Sequence, residues 1–204
     1  MLNDVTVFNI REYLSATDDK ELGEDELHHI FSEFLCGKNP DVERFLKEQA
    51  IDFTKKNQSV TYLVFSNADA VLVGYFALTI KPITVKAGSF SNTMRRKIAR
   101  VSELNEENGT YTLSAYLIAQ LGKNYKNGAN EKITGMQLLN AAIDTVKELQ
   151  YMAGGMVVFL EAEDNEKLMH FYEAENGFKK FDVREAKNNC DDQTHKLIQL
   201  LKVM

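Results

Sequence analysis

Cysteine and proline are scarce in this chain, with two of each among 204 residues. Cys36 and Cys190 lack the CxxC spacing of a zinc or redox site and the cysteine density of a secreted scaffold. They read as free thiols of a reducing cytoplasm. No glycine- or serine-rich tract marks a linker, and no internal repeat or low-complexity segment occurs. The chain therefore reads as one domain over residues 1–204, with a distinct N-terminal segment over 1–30. The opening MLNDVTVFNIREYL has no basic region followed by an apolar run, so no signal peptide is expected. A long hydrophobic run is missing too. The most apolar window, YLVFSNADAVLVGYFALTI, is broken by Asn67 and Asp69, and a membrane span would bury the Asp69 carboxylate in hydrocarbon. GxxxxGK[ST], GxGxxG and HExxH are also absent. An NTP-binding P-loop, a dinucleotide fingerprint and a His28–His29 metal site are accordingly not expected.

What is present is ordinary globular composition, 44% hydrophobic and 26% charged, enough for a real core. The net charge of −6 is uneven. DDKELGEDE, residues 18–26, holds six acids and one lysine, a net of −5, which leaves −1 for the remainder. Against that background TMRRKIAR gathers Arg95, Arg96, Lys97 and Arg100. Such a cluster is either a solvated helix face or a contact for phosphate or RNA. The overall charge does not favour tRNA as a partner.

Periodicity and turn chemistry outline the elements. Leu27, Ile30, Phe31 and Phe34 recur at helical spacing. A second helix begins with Asn39 as cap and Pro40 at its first position, and carries Val42, Phe45, Leu46, Ile51 and Phe53. VTYLVF and AVLVGYFALTI, joined by SNAD, read as an antiparallel hairpin that PITV prolongs. A short helix is capped at Ser91 or Asn92. Thr110 to Gly122 is a strand, and a polar segment, KNYKNGANEKITG, follows it. The clearest helix spans 136–152, with Leu139, Ala142, Ile143, Val146 and Leu149 on one face, and Gly154-Gly155 stop it. MVVFLEA is a strand, NEKLMHFYEAEN a helix ended by Gly177, and FKKFDV and HKLIQLLKV a final strand pair. Helices interleaved with a mixed sheet mean an α/β (α+β) fold.

The polar segment before the long helix can hold an anion. A helix start leaves backbone N–H groups unpaired, and the helix dipole adds to them. Gly135 would let a phosphate approach the main chain, and Lys123, Lys126 and Lys132 surround the loop in sequence. Many such loops bind nothing, so both readings stand on these residues alone. The same duality holds for Leu168, Phe171 and Tyr172, which suit a buried helix face as well as a catalytic phenol.

Several spaced features together resemble the GNAT superfamily of N-acetyltransferases. KITGMQ is similar to its phosphate loop, Q/R-x-x-G-x-G/A: Lys132 stands for Gln/Arg, Gly135 matches, and Gln137 replaces the final small residue. NEKLMHFYEAENGF resembles N-x-x-A-x-x-F-Y-x-x-x-G-F through Asn165, Phe171, Tyr172, Gly177 and Phe178, with Leu168 for the alanine and one additional residue before Gly177. FLCGKNPDVERFLKEQA, TYLVF and VGYFAL are similar to the branch that includes acetyltransferase toxins of toxin–antitoxin modules. The resemblance covers roughly residues 31–181.

It implies a GNAT-like, mostly antiparallel central sheet flanked by helices, and acetyl-CoA as co-substrate without a metal. Lys132, Ile133, Thr134, Gly135, Met136 and Gln137 would bind the pyrophosphate, and Asn165 and Phe171 would lie along the pantetheine arm. A backbone N–H near Gln120 or Leu121 would polarise the thioester carbonyl. Tyr172 would sit beside the sulfur as proton donor to the departing thiolate, and Glu103, Glu161 and Glu163 are base candidates by type only. The acceptor would be a primary amine, of a small molecule or of aminoacyl-tRNA. A homodimer and an antitoxin partner belong to the same resemblance. A non-catalytic CoA-binding module is the remaining alternative.

Overall fold

The structure is a computed structural model that describes residues 4–15, 23–187 and 194–204. Residues 18–22 of the acidic run and Cys190 lie outside the described residues. The chain forms two compact units, residues 1–79 with 118–148, and residues 80–117 with 149–204.

In the first unit, β1 (Val5–Asn9) pairs antiparallel with β2 (Val60–Ser66), and β2 pairs antiparallel with β3 (Leu72–Lys86). The expected hairpin is β2–β3, and Ala70 takes the left-handed conformation in its turn, φ 54°. The next strand in the order is β5 (Thr110–Lys123). Four helices accompany these strands: α1 (Ile10–Ser15), α2 (Glu24–Ser32), α3 (Pro40–Arg44) and α4 (Ala50–Lys55). Asn39 caps α3 by accepting from the Val42 N–H, with Pro40 just inside. Between α3 and α4 the chain makes a π-helical turn, Phe45–Gln49. That turn explains the five-residue step from Leu46 to Ile51 in the apolar stripe, because one added residue widens the turn and both side chains still reach the core.

Tyr75 anchors this core. It is fully buried, its ring meets Phe34 edge-on at 5.1 Å and stacks on Phe45 at 6.5 Å, and its hydroxyl donates to Val42 O at 2.5 Å. Burial holds the phenol well above its ordinary pKa. Beside it the strands approach so closely that only glycine fits. A Cβ on Gly74 would stand 2.8 Å from Gly122 O, and one on Gly122 would stand 2.4 Å from Val42 Cγ1.

Asn124, 2% exposed, ends β5. Its Oδ1 accepts from Leu35 N and Lys126 N, both at 3.0 Å. Its Nδ2 donates to Glu33 O at 2.9 Å and to Leu72 O at 2.8 Å. From there a 3₁₀ segment, Lys126–Lys132, passes through left-handed Asn127 and Gly128 and leads to α6 (Gly135–Ala153). Leu139, Ala142, Ile143 and Val146 of α6 are buried, as their spacing predicts, while Leu149 is only partly buried.

In the second unit the strand order is β3, β5, β6 (Val157–Glu163), β8 (Thr194–Val203), β7 (Lys179–Lys187). The short β4 (Leu104–Asn105) pairs antiparallel with β5. β6 with β8 and β7 with β8 are antiparallel. Of the two candidate caps for α5 (Asn92–Ile98), Ser91 does the work, accepting from Met94 N at 3.3 Å. Gly154 and Gly155 stop α6 with φ of 77° and 90°. Tyr116 packs on Gly155, where a Cβ would stand 2.9 Å from its ring, and its hydroxyl donates to Gly154 O at 2.6 Å. After β6 come α7 (Glu166–Met169) and a second π-helical turn, His170–Glu175.

Asn124→Leu removes four hydrogen bonds around a buried position. Urea unfolding should show a loss of about 3 kcal/mol, since backbone groups are left unpaired. Gly74→Ala forces a Cβ against a backbone oxygen and should cost at least about 2 kcal/mol by the same measurement.

Candidate functional site

The predicted residues fall into two groups, one in each unit. In the first unit, Gln120 and Leu121 lie near the end of β5 and are half-buried. Ile133 is buried and pins the loop, whereas Thr134 is exposed and Met136 is 41% exposed. Thr134 and Gln137 form a reciprocal cap on α6. The Thr134 N–H donates to Gln137 Oε1 at 2.8 Å, and the Thr134 hydroxyl donates to the same oxygen at 2.9 Å. In return the Gln137 N–H donates to Thr134 Oγ1 at 3.1 Å. This is the T-x-x-Q capping box, a signature present in the sequence but hidden by reading KITGMQ only as a phosphate loop. The first bond of the helical ladder runs from Leu138 N to Thr134 O at 3.1 Å. The N–H groups of Gly135 and Met136 precede that ladder, as the first amides of a helix do.

The three lysines expected around this loop are not equivalent. Lys132 is ion-paired with Asp69, whose carboxyl is held below its ordinary pKa, chiefly by the hydrogen bond from that lysine. Lys126 reaches Glu33 at 2.9 Å and Ser32 O at 3.2 Å. Lys123 is half-buried and has no ion pair among the described residues. Burial lowers its pKa, and the nearby Lys38 charge adds to the effect.

In the second unit, Asn165 caps α7, its Oδ1 accepting from Lys167 N at 2.9 Å. Phe171 and Tyr172 follow on the π-helical turn, both half-buried. Tyr172 meets Phe171 edge-on at 5.0 Å and Phe178 at 5.9 Å. Its hydroxyl makes no hydrogen bond among the described residues, and burial pushes its pKa up to about 12. The Tyr172 carbonyl accepts from Phe178 N at 2.9 Å, and left-handed Gly177 turns the chain between them. The resembling motif has three residues between Tyr and Gly, and this chain has four. The π-helical turn takes up the additional residue, as such turns do within helices.

Of the carboxylates named as base candidates, Glu161 is engaged by Arg184 at 3.1 Å and by Gln199 at 2.7 Å. Glu103 and Glu163 are exposed. Cys36 is buried with its thiol pKa raised by burial, which opposes a thiolate nucleophile. Among the described residues no group of three or more His, Cys, Asp or Glu is placed to hold a metal ion, and no helix is long and apolar enough to cross a membrane. Sequence reasoning missed Asn124 and the capping role of Gln137. Only the second had a local signal.

The sequence matches no family model and no curated protein. Solved structures do match. AtaT complexed with acetyl-methionyl-tRNAfMet is 16% identical, with 98% of this chain and 95% of AtaT covered and a TM-score of 0.62. A Tyr-to-Phe mutant of KacT is 19% identical, with 98% and 95% covered and a TM-score of 0.61. A Tyr-to-Phe mutant of the AtaT toxin, bound to the C-terminus of the antitoxin AtaR and acetyl-CoA, is 17% identical, with 98% and 94% covered and a TM-score of 0.54. The likeness extends over nearly the whole chain, well beyond the motifs of residues 31–181, and the chain has the GNAT-like fold of these toxins.

Proposed function

We propose that the chain is an acetyl-CoA-dependent N-acetyltransferase, in which a primary amine attacks the thioester carbonyl directly. The pyrophosphate would take main-chain N–H groups of the segment Lys132–Gln137, with those of Gly135 and Met136 the readiest donors. A backbone N–H at Gln120 or Leu121 would receive the charge that develops on the carbonyl oxygen, where a fixed donor stabilises the transition state most. Asn165 and Phe171 would flank the pantetheine arm.

The observation that carries this reading is Tyr172, a half-buried phenol with no hydrogen-bond partner among the described residues. Its chemistry can be bounded. The phenol is held at about 12 by burial, whereas an ordinary thiol ionises near ~8.5. A phenol raised above its ordinary value by burial gives up its proton to a thiolate less readily than a solvated one does. Tyr172 would then serve first as a hydrogen-bond donor to the sulfur as it gains charge, on the way to protonating the departing thiolate. The proton balance is closed by the amine, which becomes acidic on attack. The amine must arrive neutral, and with Glu161 already ion-paired, water is the simplest acceptor of its proton.

A second reading names the acceptor as the amine of aminoacyl-tRNA. AtaT is known in complex with acetyl-methionyl-tRNAfMet. In this chain Arg95, Arg96, Lys97 and Arg100 are exposed, and none makes an ion pair among the described residues. Residues 80–109 hold six basic and three acidic side chains, a net of +3, against −6 for the whole chain. A locally positive surface can thus coexist with an acidic protein. An antitoxin partner and a homodimer remain part of the same proposal.

Tyr172→Phe should lower acetyl transfer to an amine acceptor by about 100-fold or more, with acetyl-CoA affinity retained. Loss of cofactor binding instead would make Tyr172 a packing residue. Stability should show the same phenol. The folded protein keeps a proton on Tyr172 that an unfolded chain releases near the ordinary value of 10.0. Stability should therefore fall as pH rises from there toward about 12, and Tyr172→Phe should flatten that part of the profile. For the tRNA reading, log affinity against log salt should have a slope of about −3, reduced by the double change Arg95→Ala and Arg96→Ala. A flat salt response leaves a small amine as the acceptor.

A further inference from the structure

We infer that Gln137 acts as a built-in competitor for the cofactor's phosphates, so that acetyl-CoA gains the Thr134 donors only by displacing its carboxamide. The inference rests on the proposed pyrophosphate contact at this loop. In the pattern this loop resembles, a small residue stands at the position of Gln137, and nothing there reaches back over the turn. Here the carboxamide oxygen accepts from both the Thr134 N–H and the Thr134 hydroxyl, at 2.8 and 2.9 Å. An oxygen that accepts two converging donors is chemically placed as a phosphate oxygen would be. The return bond from the Gln137 N–H to Thr134 Oγ1, at 3.1 Å, takes up a second amide. Two of the loop's main-chain donors and one hydroxyl are therefore closed internally, whereas the amides of Gly135 and Met136 precede the helical ladder.

The neighbouring cations do not offset this. Lys132 is ion-paired with Asp69 and Lys126 with Glu33. Glutamine is also neutral, so it fills the Thr134 donors without repelling the incoming phosphate, and rotation of its side chain frees the Thr134 N–H and hydroxyl. The position thus sets how tightly the cofactor is held, and does so without touching the reacting atoms. A capping interaction of this kind is worth about 1 kcal/mol, which corresponds to about a fivefold change in affinity.

The test measures acetyl-CoA binding by calorimetry for the full chain and for Gln137→Ala, alongside the phosphate-free thioester S-acetyl-N-acetylcysteamine. Gln137→Ala should bind acetyl-CoA about fivefold more tightly, leave affinity for the phosphate-free thioester unchanged, and lower the melting temperature slightly. A second variant, Gln137→Glu, keeps the cap and the helix but adds a negative charge, and should bind acetyl-CoA at least fivefold more weakly than wild type. Equal or weaker binding of acetyl-CoA by Gln137→Ala overturns the competitor role and leaves the proposed function standing. So does an equal gain for both ligands, because the effect then does not involve phosphate. If Gln137→Ala does not fold, unchanged acetyl-CoA affinity in Gln137→Glu overturns the inference. Absence of acetyl-CoA binding by wild type and both variants removes the proposed function and this inference together.

Discussion

The four hydrogen bonds of Asn124 fix the point at which a strand becomes a loop, and the segment before α6 inherits its position from that point. A carboxamide offers two donors and an oxygen with two lone pairs, and all are used here. The partners are main-chain groups at the exit of α2, at the start of β3 and two residues further along the loop. A buried polar side chain without such partners would be costly, and with all of them it becomes a rigid joint. Gly74 and Gly122 reinforce the joint by letting β3 and β5 approach more closely than any side chain would allow. The segment leading to Thr134 therefore leaves a fixed origin. A loop that must present main-chain amides to a ligand needs such an origin, because amides cannot be re-aimed by rotating a side chain.

Two π-helical turns do for side chains what Asn124 does for backbone. At Phe45–Gln49 the turn keeps Leu46 and Ile51 on the same core despite a five-residue step. At His170–Glu175 it takes up one residue between Tyr172 and Gly177, so the Tyr172 carbonyl still meets Phe178 N and the phenol still lies against Phe171 and Phe178. In both places the helix tolerates poorer hydrogen-bond geometry, and tertiary packing supplies the compensation. The consequence for function is specific. A one-residue departure from a sequence pattern can be taken up where it falls in a helix that can widen.

These particulars show what could be read from the residues alone. Capping and periodicity are local, so Asn39-Pro40, the α6 face, the β2–β3 hairpin and the Gly177 cap were all legible. The five-residue step after Leu46 was visible too, as an imperfect stripe, but a helical template with fixed spacing gives it no meaning. Asn124 was not legible, because a polar residue at the start of a polar loop carries no sign that it is buried. The partners of Lys126 and Lys132 lie 93 and 63 positions away in sequence, and nothing local announces them. Gln137 is the instructive case. Its T-x-x-Q pattern was present, but one stretch of sequence supported two readings, and the resemblance favoured the phosphate loop over the cap.

The pairing of those lysines also separates the two anion-facing regions of the proposed enzyme by physical kind. With Lys126 and Lys132 neutralised by Glu33 and Asp69, the loop before α6 would attract a phosphate mainly through oriented N–H groups and the helix dipole, if the proposed cofactor contact holds. Such an attraction is short-ranged and directional, so salt would weaken it less than it weakens attraction between separated exposed charges. The cluster Arg95, Arg96, Lys97 and Arg100 is the opposite. Its charges are exposed, act over about a Debye length of ~10 Å, and are screened as ionic strength rises. A cofactor held by amides and a polyanionic acceptor drawn by exposed guanidinium groups would thus respond to salt independently. Such a division would let one acidic protein retain its cofactor at ionic strengths that release the acceptor.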